Sequence, residues 1–212
     1  MENRDTAIVF DLDGTLIDSS KKLEDDIIQA FNKLGYSISP TEAKEEWNSL
    51  AKKYNLTMKA ILEAIEPRKP WKDSLKDGEV IIFPETLYIL DKLKKNGRNR
   101  LCLLTKSLPE YTRAKLDYFN LSPYFEIKLT INLEEKSKDS AAIDIIKILK
   151  AAMTEKAYFI GDKEEDIMVE KAVNEEFGNY DLTAKGIYIN REGKKLENYT
   201  SIISLDKILE II

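Results

Sequence analysis

The run Ala7-Ile-Val-Phe-Asp11-Leu-Asp13-Gly14-Thr15-Leu-Ile-Asp18 constrains this chain more than any other segment. Four apolar residues of strand type break off at Asp11. A second carboxylate, Asp13, follows two residues on, and then a Gly14-Thr15 turn. A buried strand that ends in two acids is costly unless a cation, a proton or hydrogen bonds compensate them. Open α/β sheets gather ligands just beyond the C-terminal ends of their strands, so Asp11 and Asp13 fall where chemistry is done. Gly14 lets the backbone approach a ligand with no side chain in the way. Taken alone, the same residues also suit a solvated acidic turn.

Further strand-like runs at 80–83, 101–104, 125–131, 157–160 and 186–190 alternate with segments of helical spacing. Leu87, Leu90 and Leu93 mark one helix, closed by Asn96-Gly97; Thr112, Leu116 and Phe119 mark another. Ala142, Ile145, Ile146 and Leu149 mark a third, and Ile167, Met168 and Ala172 a shorter fourth. This alternation predicts an α/β fold, a doubly wound parallel sheet with a Rossmann-like core. Residues 18–79 differ. Stripes at Leu23, Ile27, Phe31 and Leu34, at Ala43, Trp47, Leu50 and Tyr54, and at Met58, Ile61, Leu62 and Ile65 predict a helical insert without strands. The expected division is a core of 1–17 and 80–212 with a helical cap of 18–79. The tail predicts a short strand at 201–203 and a closing amphipathic helix from Leu205 to Ile212. The stretch from Val173 to Lys185 carries no assignment.

Composition removes whole classes of chemistry. The 212 residues include no histidine and one cysteine, Cys102. Ser-His and Cys-His nucleophilic pairs, imidazole acid–base catalysis and multi-thiolate metal sites are therefore excluded. Nucleophile, acid, base and metal ligands must come mainly from Asp, Glu, Lys, Ser, Thr or Tyr, and carboxylate-rich sites suit hard cations such as Mg²⁺. A net charge of −5 argues against charge-driven binding to nucleic acid or an anionic membrane. The opening residues Met-Glu-Asn-Arg-Asp lack the basic-then-apolar pattern of a signal peptide, and no apolar stretch reaches the length of a membrane span. With a lone cysteine in an apolar run, the expectation is a reducing, cytoplasmic setting.

The other strand ends carry matching groups. The run 101–104 meets Thr105, Lys106 and Ser107; the run 157–160 meets Gly161 and Asp162, with Glu164, Glu165 and Asp166 just after. Lys136 and Lys138 precede a helix that is expected to begin near Asp139 or Ser140. Singly these are ordinary turn, surface and first-turn helix residues. Together they fit phosphoryl transfer, which needs a cation for the phosphate oxygens, a positive side chain opposite and neutral donors to orient the group. Asp11 and Asp162 could hold Mg²⁺, with Thr105 and a lysine gripping the remaining oxygens. With no histidine or reactive cysteine, a carboxylate is the natural nucleophile, and Asp13 could protonate the leaving oxygen and later activate water.

This pattern resembles the haloacid dehalogenase superfamily over the whole chain. Asp11-Leu12-Asp13-Gly14-Thr15 matches its first motif, Thr105 after Leu-Cys-Leu-Leu its second, and Gly161-Asp162 through Asp166 its fourth. Phe83-Pro84-Glu85-Thr86-Leu87 resembles the segment that leads into the second motif, and the insert matches a helical cap placed after the first, as in the phosphoglycolate phosphatase and β-phosphoglucomutase-like subgroup. The resemblance implies Asp11 as nucleophile, forming an aspartyl-phosphate, and as a Mg²⁺ ligand. It implies Asp13 as acid–base with its carbonyl on the metal, and Thr105, with backbone N–H groups of Gly14 and Lys106, on the phosphate. Asp162 is implied as a direct metal ligand and Asp166 as its support. Either Lys136 or Lys138 has workable spacing for the third-motif lysine; Lys138, nearer the helix start, is favoured.

Asp13 argues against the metal-free dehalogenases, and the turn lacks the signature of ion-pumping ATPases. The expected activity is Mg²⁺-dependent hydrolysis of a small phosphorylated metabolite. A phosphomutase of the same family, or a non-catalytic phospho-receiver or binding protein, is the alternative. Substrate choice is expected to lie in the cap, with Lys52, Lys53, Tyr54, Arg68, Lys69 and Trp71 as candidates. Oligomeric state is not legible.

Overall fold

Residues that alternate along a strand face opposite sides of a sheet, and the 7–10 run is buried on both. Ala7 and Val9 join one core cluster, while Ile8 and Phe10 are equally buried on the reverse. Such a strand needs cover above and below, which a sheet wound on both faces supplies. The computed structural model describes residues 5–45, 47–65, 71–130, 137–150 and 154–212. It divides into two compact units, Met1–Ile17 with Ile82–Ile212, and Asp18–Ile81.

The first unit holds a six-stranded sheet. Its strands are β1 (Asp5–Phe10), β4 (Asn99–Thr105), β5 (Ile127–Thr130), β6 (Thr154–Gly161), β7 (Thr183–Ile189) and β8 (Thr200–Ile202). The order is β5-β4-β1-β6-β7-β8, and every described pairing is parallel. From β1 the chain builds outward to β5 and then returns to β6 on the other side of β1. That reversal makes the edge between β1 and β6 a topological switch point, where open α/β sheets bind ligands. Helices α7 (Lys138–Lys150) and α8 (Glu164–Phe177) cover one face. Ile145, Ile146 and Leu149 of α7 and Val169, Val173 and Phe177 of α8 pack on Val9, Cys102, Leu104, Ala157 and Phe159. Helix α5 (Thr86–Lys95) buries Ile89, Leu90 and Leu93, and α6 (Pro109–Tyr118) buries Thr112, Lys115 and Leu116.

Two expectations need correction, and one unassigned stretch takes form. The run at 80–83 does not join the six-stranded sheet: Ile81–Ile82 (β3) pairs with Ile17–Asp18 (β2) in a two-stranded ribbon. The closing helix is a 3-10 turn, Leu205–Glu210, whose buried residues Leu205 and Ile208 stand three apart, the period of that tighter helix. Part of the unassigned stretch after Val173 is helix. Helix α8 continues to Phe177, a 3-10 turn spans Gly178–Tyr180, and Asp181 at φ +59° turns the chain into β7. Val173 and Phe177 supply the buried anchors that extend α8.

The second unit is helical: α1 (Ser20–Lys33), α2 (Trp47–Lys53), α3 (Met58–Ala64) and α4 (Trp71–Lys76). Ile27, Ala30, Phe31, Leu50 and Ile61 form its core. The second expected stripe is broken: Glu42–Lys44 is a 3-10 turn, and Glu45 is extended before α2 begins. The Glu42 carboxylate holds the start of that turn, accepting from both the Ser39 N–H and hydroxyl at 2.9 Å. Helix α4, six residues long, is too short for a period to announce it.

Candidate active site

The register brings the acidic strand end of β1 level with its neighbours. Phe10 pairs with Leu103 of β4 and with Ile160 of β6. Asp11, the next residue, still donates its N–H to the Ile160 carbonyl at 2.9 Å. Its side chain therefore leaves the sheet at the switch point, beside the residues that follow Ile160. Carboxylate oxygens of Asp11, Asp162 and Asp166 lie within 4.8 Å of one another. The helix N-terminus carrying Asp166 is held by that residue's own side chain, since the Lys163 N–H donates to Asp166 Oδ2 at 3.0 Å.

Lys138, the first residue of α7, points its ammonium into this cluster. Its Nζ lies 3.4 Å from Asp11 Oδ1 and pairs closely with Asp166 Oδ1, with the lysine side chain 7% exposed. Lys136 lies outside the described residues. Burial alone would lower the Lys138 pKa; the negative charges of Asp11 and Asp166 outweigh it and raise the group instead. Burial raises Asp11 well above the carboxylate range; Lys138 opposes this, while Asp166, Asp162 and Asp13 add to it. Burial, reinforced by Asp166, pushes Asp162 up to about 7. One ammonium does not neutralise this much negative charge.

Two glycines let the carboxylates come so close. Gly14 sits at φ +82°, and a Cβ there would fall on the Asp162 carboxylate; a Cβ on Gly161 would fall on Asp166. The expectation that the Gly14 N–H faces a ligand is corrected: it donates to the Ile17 carbonyl at 2.7 Å and closes the turn after β1. Thr105, at the end of β4, is buried, and its Oγ1 accepts from the Ser107 N–H at 3.2 Å. The Lys106 ammonium pairs with Glu165 of α8.

Asp13 faces a partner that sequence reading missed. Lys115 of α6 donates to Asp13 Oδ1 at 2.7 Å, to Oδ2 at 2.8 Å and to Ser107 Oγ at 3.0 Å. Its signal was available, since position 115 falls three residues after Thr112 on the stripe that continues through Leu116. A lysine on that buried face requires an acidic partner. Arg191 was also missed. Its guanidinium pairs with Glu85 at 2.6 Å, donates to the Thr15 carbonyl at 3.2 Å and stacks 3.4 Å from the Phe83 ring centroid. Only the tertiary fold brings residue 191 to residue 15. In the helical unit, Lys53 and Tyr54 both donate to Glu42 at 2.9 Å, so these two candidates serve that unit's own structure. Arg68 and Lys69 lie outside the described residues.

The donor set fits a hard divalent cation. It is all oxygen, and Asp162 Oδ1 is buried with no hydrogen-bond donor among the described residues. Both oxygens of Asp166 are already engaged, by Lys138 and by the Lys163 N–H.

A six-stranded parallel sheet with paired acids at its switch point and a helical insertion directly after them defines a class of hydrolase. Residues 8–178 match the haloacid dehalogenase-like hydrolases, and the chain belongs to that family. It is 30% identical over 179 residues to the phosphoglycolate phosphatase of Aquifex aeolicus, covering 76% of this chain and 77% of that one. It is 26% identical over 178 residues to a phosphoglycolate phosphatase of Pseudomonas fluorescens, covering 78% and 65%. A crystal structure of a predicted phosphatase from Clostridium acetobutylicum matches with a TM-score of 0.73 at 20% identity. The match covers 98% of this chain and 100% of that one, a likeness of fold. No helix among the described residues is long and apolar enough to cross a membrane.

Proposed function

We propose that this enzyme is a Mg²⁺-dependent phosphatase that hydrolyses a small phosphomonoester through an aspartyl-phosphate on Asp11. The observation that carries the reading is the cluster of Asp11, Asp162 and Asp166 around the Lys138 ammonium, with one buried Asp162 oxygen left for a cation. Asp11, Asp162 and the Asp13 carbonyl would hold Mg²⁺, with Asp166 steadying Lys138 beside them. When bound, the ion supplies positive charge against the phosphate oxygens.

Asp11 attacks phosphorus, and the bond to the leaving oxygen breaks as that oxygen takes a proton from Asp13. Water then attacks phosphorus and gives its proton to Asp13. The bond to the Asp11 oxygen breaks, releasing inorganic phosphate and restoring both carboxyl groups. Thr105 hydrogen-bonds the phosphoryl group, and Lys138 balances charge on Asp11 and the phosphate. The backbone N–H of Lys106 is a further phosphate donor in this reading. The helical unit is proposed as the cap, the part of the chain in which substrate choice lies. The names of the Aquifex and Pseudomonas relatives make phosphoglycolate the first candidate among small anionic phosphoesters.

The test is phosphate release from p-nitrophenyl phosphate and from a panel of phosphorylated metabolites that includes phosphoglycolate. Turnover is expected with Mg²⁺, none in EDTA, and recovery when Mg²⁺ is restored; full activity in chelator removes the metal role. Asp11→Asn is expected to cut turnover at least ~10³-fold with an unchanged circular dichroism spectrum. Undiminished turnover refutes Asp11 as nucleophile. Isomerisation of a phosphorylated sugar without phosphate release points to the mutase.

A further inference from the structure

Among the described residues the first unit buries two lysines, and each takes one aspartate of the first motif. Lys138 lies against Asp11; Lys115 lies against Asp13. Neither the attack by Asp11 nor the hydrolysis that follows assigns a part to the second pairing. The Lys115 side chain is 1% exposed, and its ammonium donates to both oxygens of Asp13 and to Ser107 Oγ. Replacing a buried ion pair with packed apolar side chains is often neutral or stabilising, so stability alone is a poor reason for this one. Helix α6 otherwise buries Thr112 and Leu116 on that face, and a leucine at 115 would satisfy the same packing.

The geometry of the pair supplies a better reason. Asp13 sits in a tight turn, held by the Gly14 N–H to Ile17 and by the Leu16 and Ile17 N–H groups to the Leu12 carbonyl. That turn fixes its backbone and leaves χ1 and χ2 to be set from outside. An ammonium held to both oxygens at under 3 Å fixes where the carboxyl group lies, because a change of χ1 would carry one or both oxygens out of hydrogen-bond reach. Ser107, two residues beyond Thr105, holds the same ammonium from the β4 end. The orientation of Asp13 is thereby tied to the loop that carries Thr105.

We infer that Lys115 is a positioning residue for Asp13, holding its carboxyl group in register with the phosphoryl group that Thr105 grips. The inference rests on the phosphatase reading and on Asp13 as the proton donor. Lys115 is assigned no contact with the substrate. Its contribution passes through Asp13 and is largest where the leaving oxygen most needs a proton.

The experiment compares kcat/KM for p-nitrophenyl phosphate and phenyl phosphate, two aryl esters that differ in one para substituent and in the acidity of the leaving group. Nitrophenolate leaves with little proton assistance, and phenolate needs more. In Lys115→Met the loss is expected to be about 100-fold on phenyl phosphate and at least about fivefold smaller on p-nitrophenyl phosphate, within the usual worth of a positioned acid. Most of it is expected in kcat, with KM little changed. In an Asp13→Asn background the same substitution is expected to change kcat/KM by no more than about twofold, since residues that act as a unit are not additive. Lys115→Arg, which keeps a two-pronged donor, is expected to recover part of the activity. Equal losses on the two esters, or a full further loss on top of Asp13→Asn, overturn the inference. Should Lys115→Met not melt cooperatively, Ser107→Ala is read in the same way. A loss at least about threefold larger on phenyl phosphate supports the inference, and equal effects on both esters overturn it. A wild-type enzyme that releases phosphate from neither ester and from no metabolite of the panel with Mg²⁺ is a separate result. It sinks the phosphatase reading and this inference with it.

Discussion

Gly14 is the residue on which the acidic cluster turns. Its φ of +82° suits glycine, and its missing Cβ leaves room for the Asp162 carboxylate. Gly14→Ala combines backbone strain with a clash against that carboxylate. It is expected to cost about 1–3 kcal/mol of stability, seen in thermal melting, and to displace Asp162 enough to abolish Mg²⁺-dependent turnover. Cys102 shows the opposite fate for a reactive group. It is buried in β4, and burial, with the Glu126 charge, pushes its thiol up to about 12. A thiol raised this way stays protonated, so its stabilising contribution holds below the ordinary value of about 8.5 and is lost only as pH climbs toward 12. Labelling with a disulfide reagent at pH 8 is expected to be about 10³-fold slower in the native protein than in the denatured one. Rapid native labelling would show that the strand is open.

At the scale of elements, the turn after β1 is braced from three directions. Thr86 at the start of α5 donates its hydroxyl to the Leu16 carbonyl at 2.9 Å, and the Phe83 N–H donates to the same oxygen at 3.2 Å. Arg191, in the loop after β7, holds the Thr15 carbonyl and Glu85 together. Glu85 in turn accepts from the Ser204 hydroxyl at 3.2 Å and the Leu205 N–H at 3.4 Å. Arg191→Met leaves Glu85 without its cation and is expected to cost about 1–3 kcal/mol. Hydrogen exchange is expected to quicken at Leu16 and Ile17; a melting temperature within a degree of wild type would remove the brace. Part of this scale was legible in the sequence. The helical stripes at 87–93, 142–149 and 167–172 are written in spacing, because a helix on a sheet must turn one face inward. The brief pairing of Ile17–Asp18 with Ile81–Ile82, the 3-10 turn at 205–210 and the six-residue α4 were not. Each is too short for a period to show, and long-range pairing or a single buried contact decides its form.

For the whole molecule, each unit has its own core. The sheet takes no residue from 19–80, and the helical unit is centred on Phe31, which meets the Tyr54 ring edge-on at 5.2 Å. Phe31→Ala is expected to cost about 3–5 kcal/mol within the helical unit. By hydrogen exchange, amides of α1 and α3 are expected to lose protection while those of β1, β4 and β6 keep it. Simultaneous loss in both units would mean that they fold as one. The sequence by itself determined the alternation of strand and helix, the helical insert after the first acidic turn, the family, and the placing of Asp11, Asp13, Thr105 and Asp162 at strand ends. These are local properties, set by periodicity and by where apolar runs stop. Tertiary structure alone decided that Lys115 serves Asp13, that Lys138 lies between Asp11 and Asp166, that the Gly14 N–H is spent within its own turn, and that Arg191 reaches Thr15. The physical reason is that parallel pairing joins residues a hundred positions apart, and a buried charge finds its partner only after that pairing has formed.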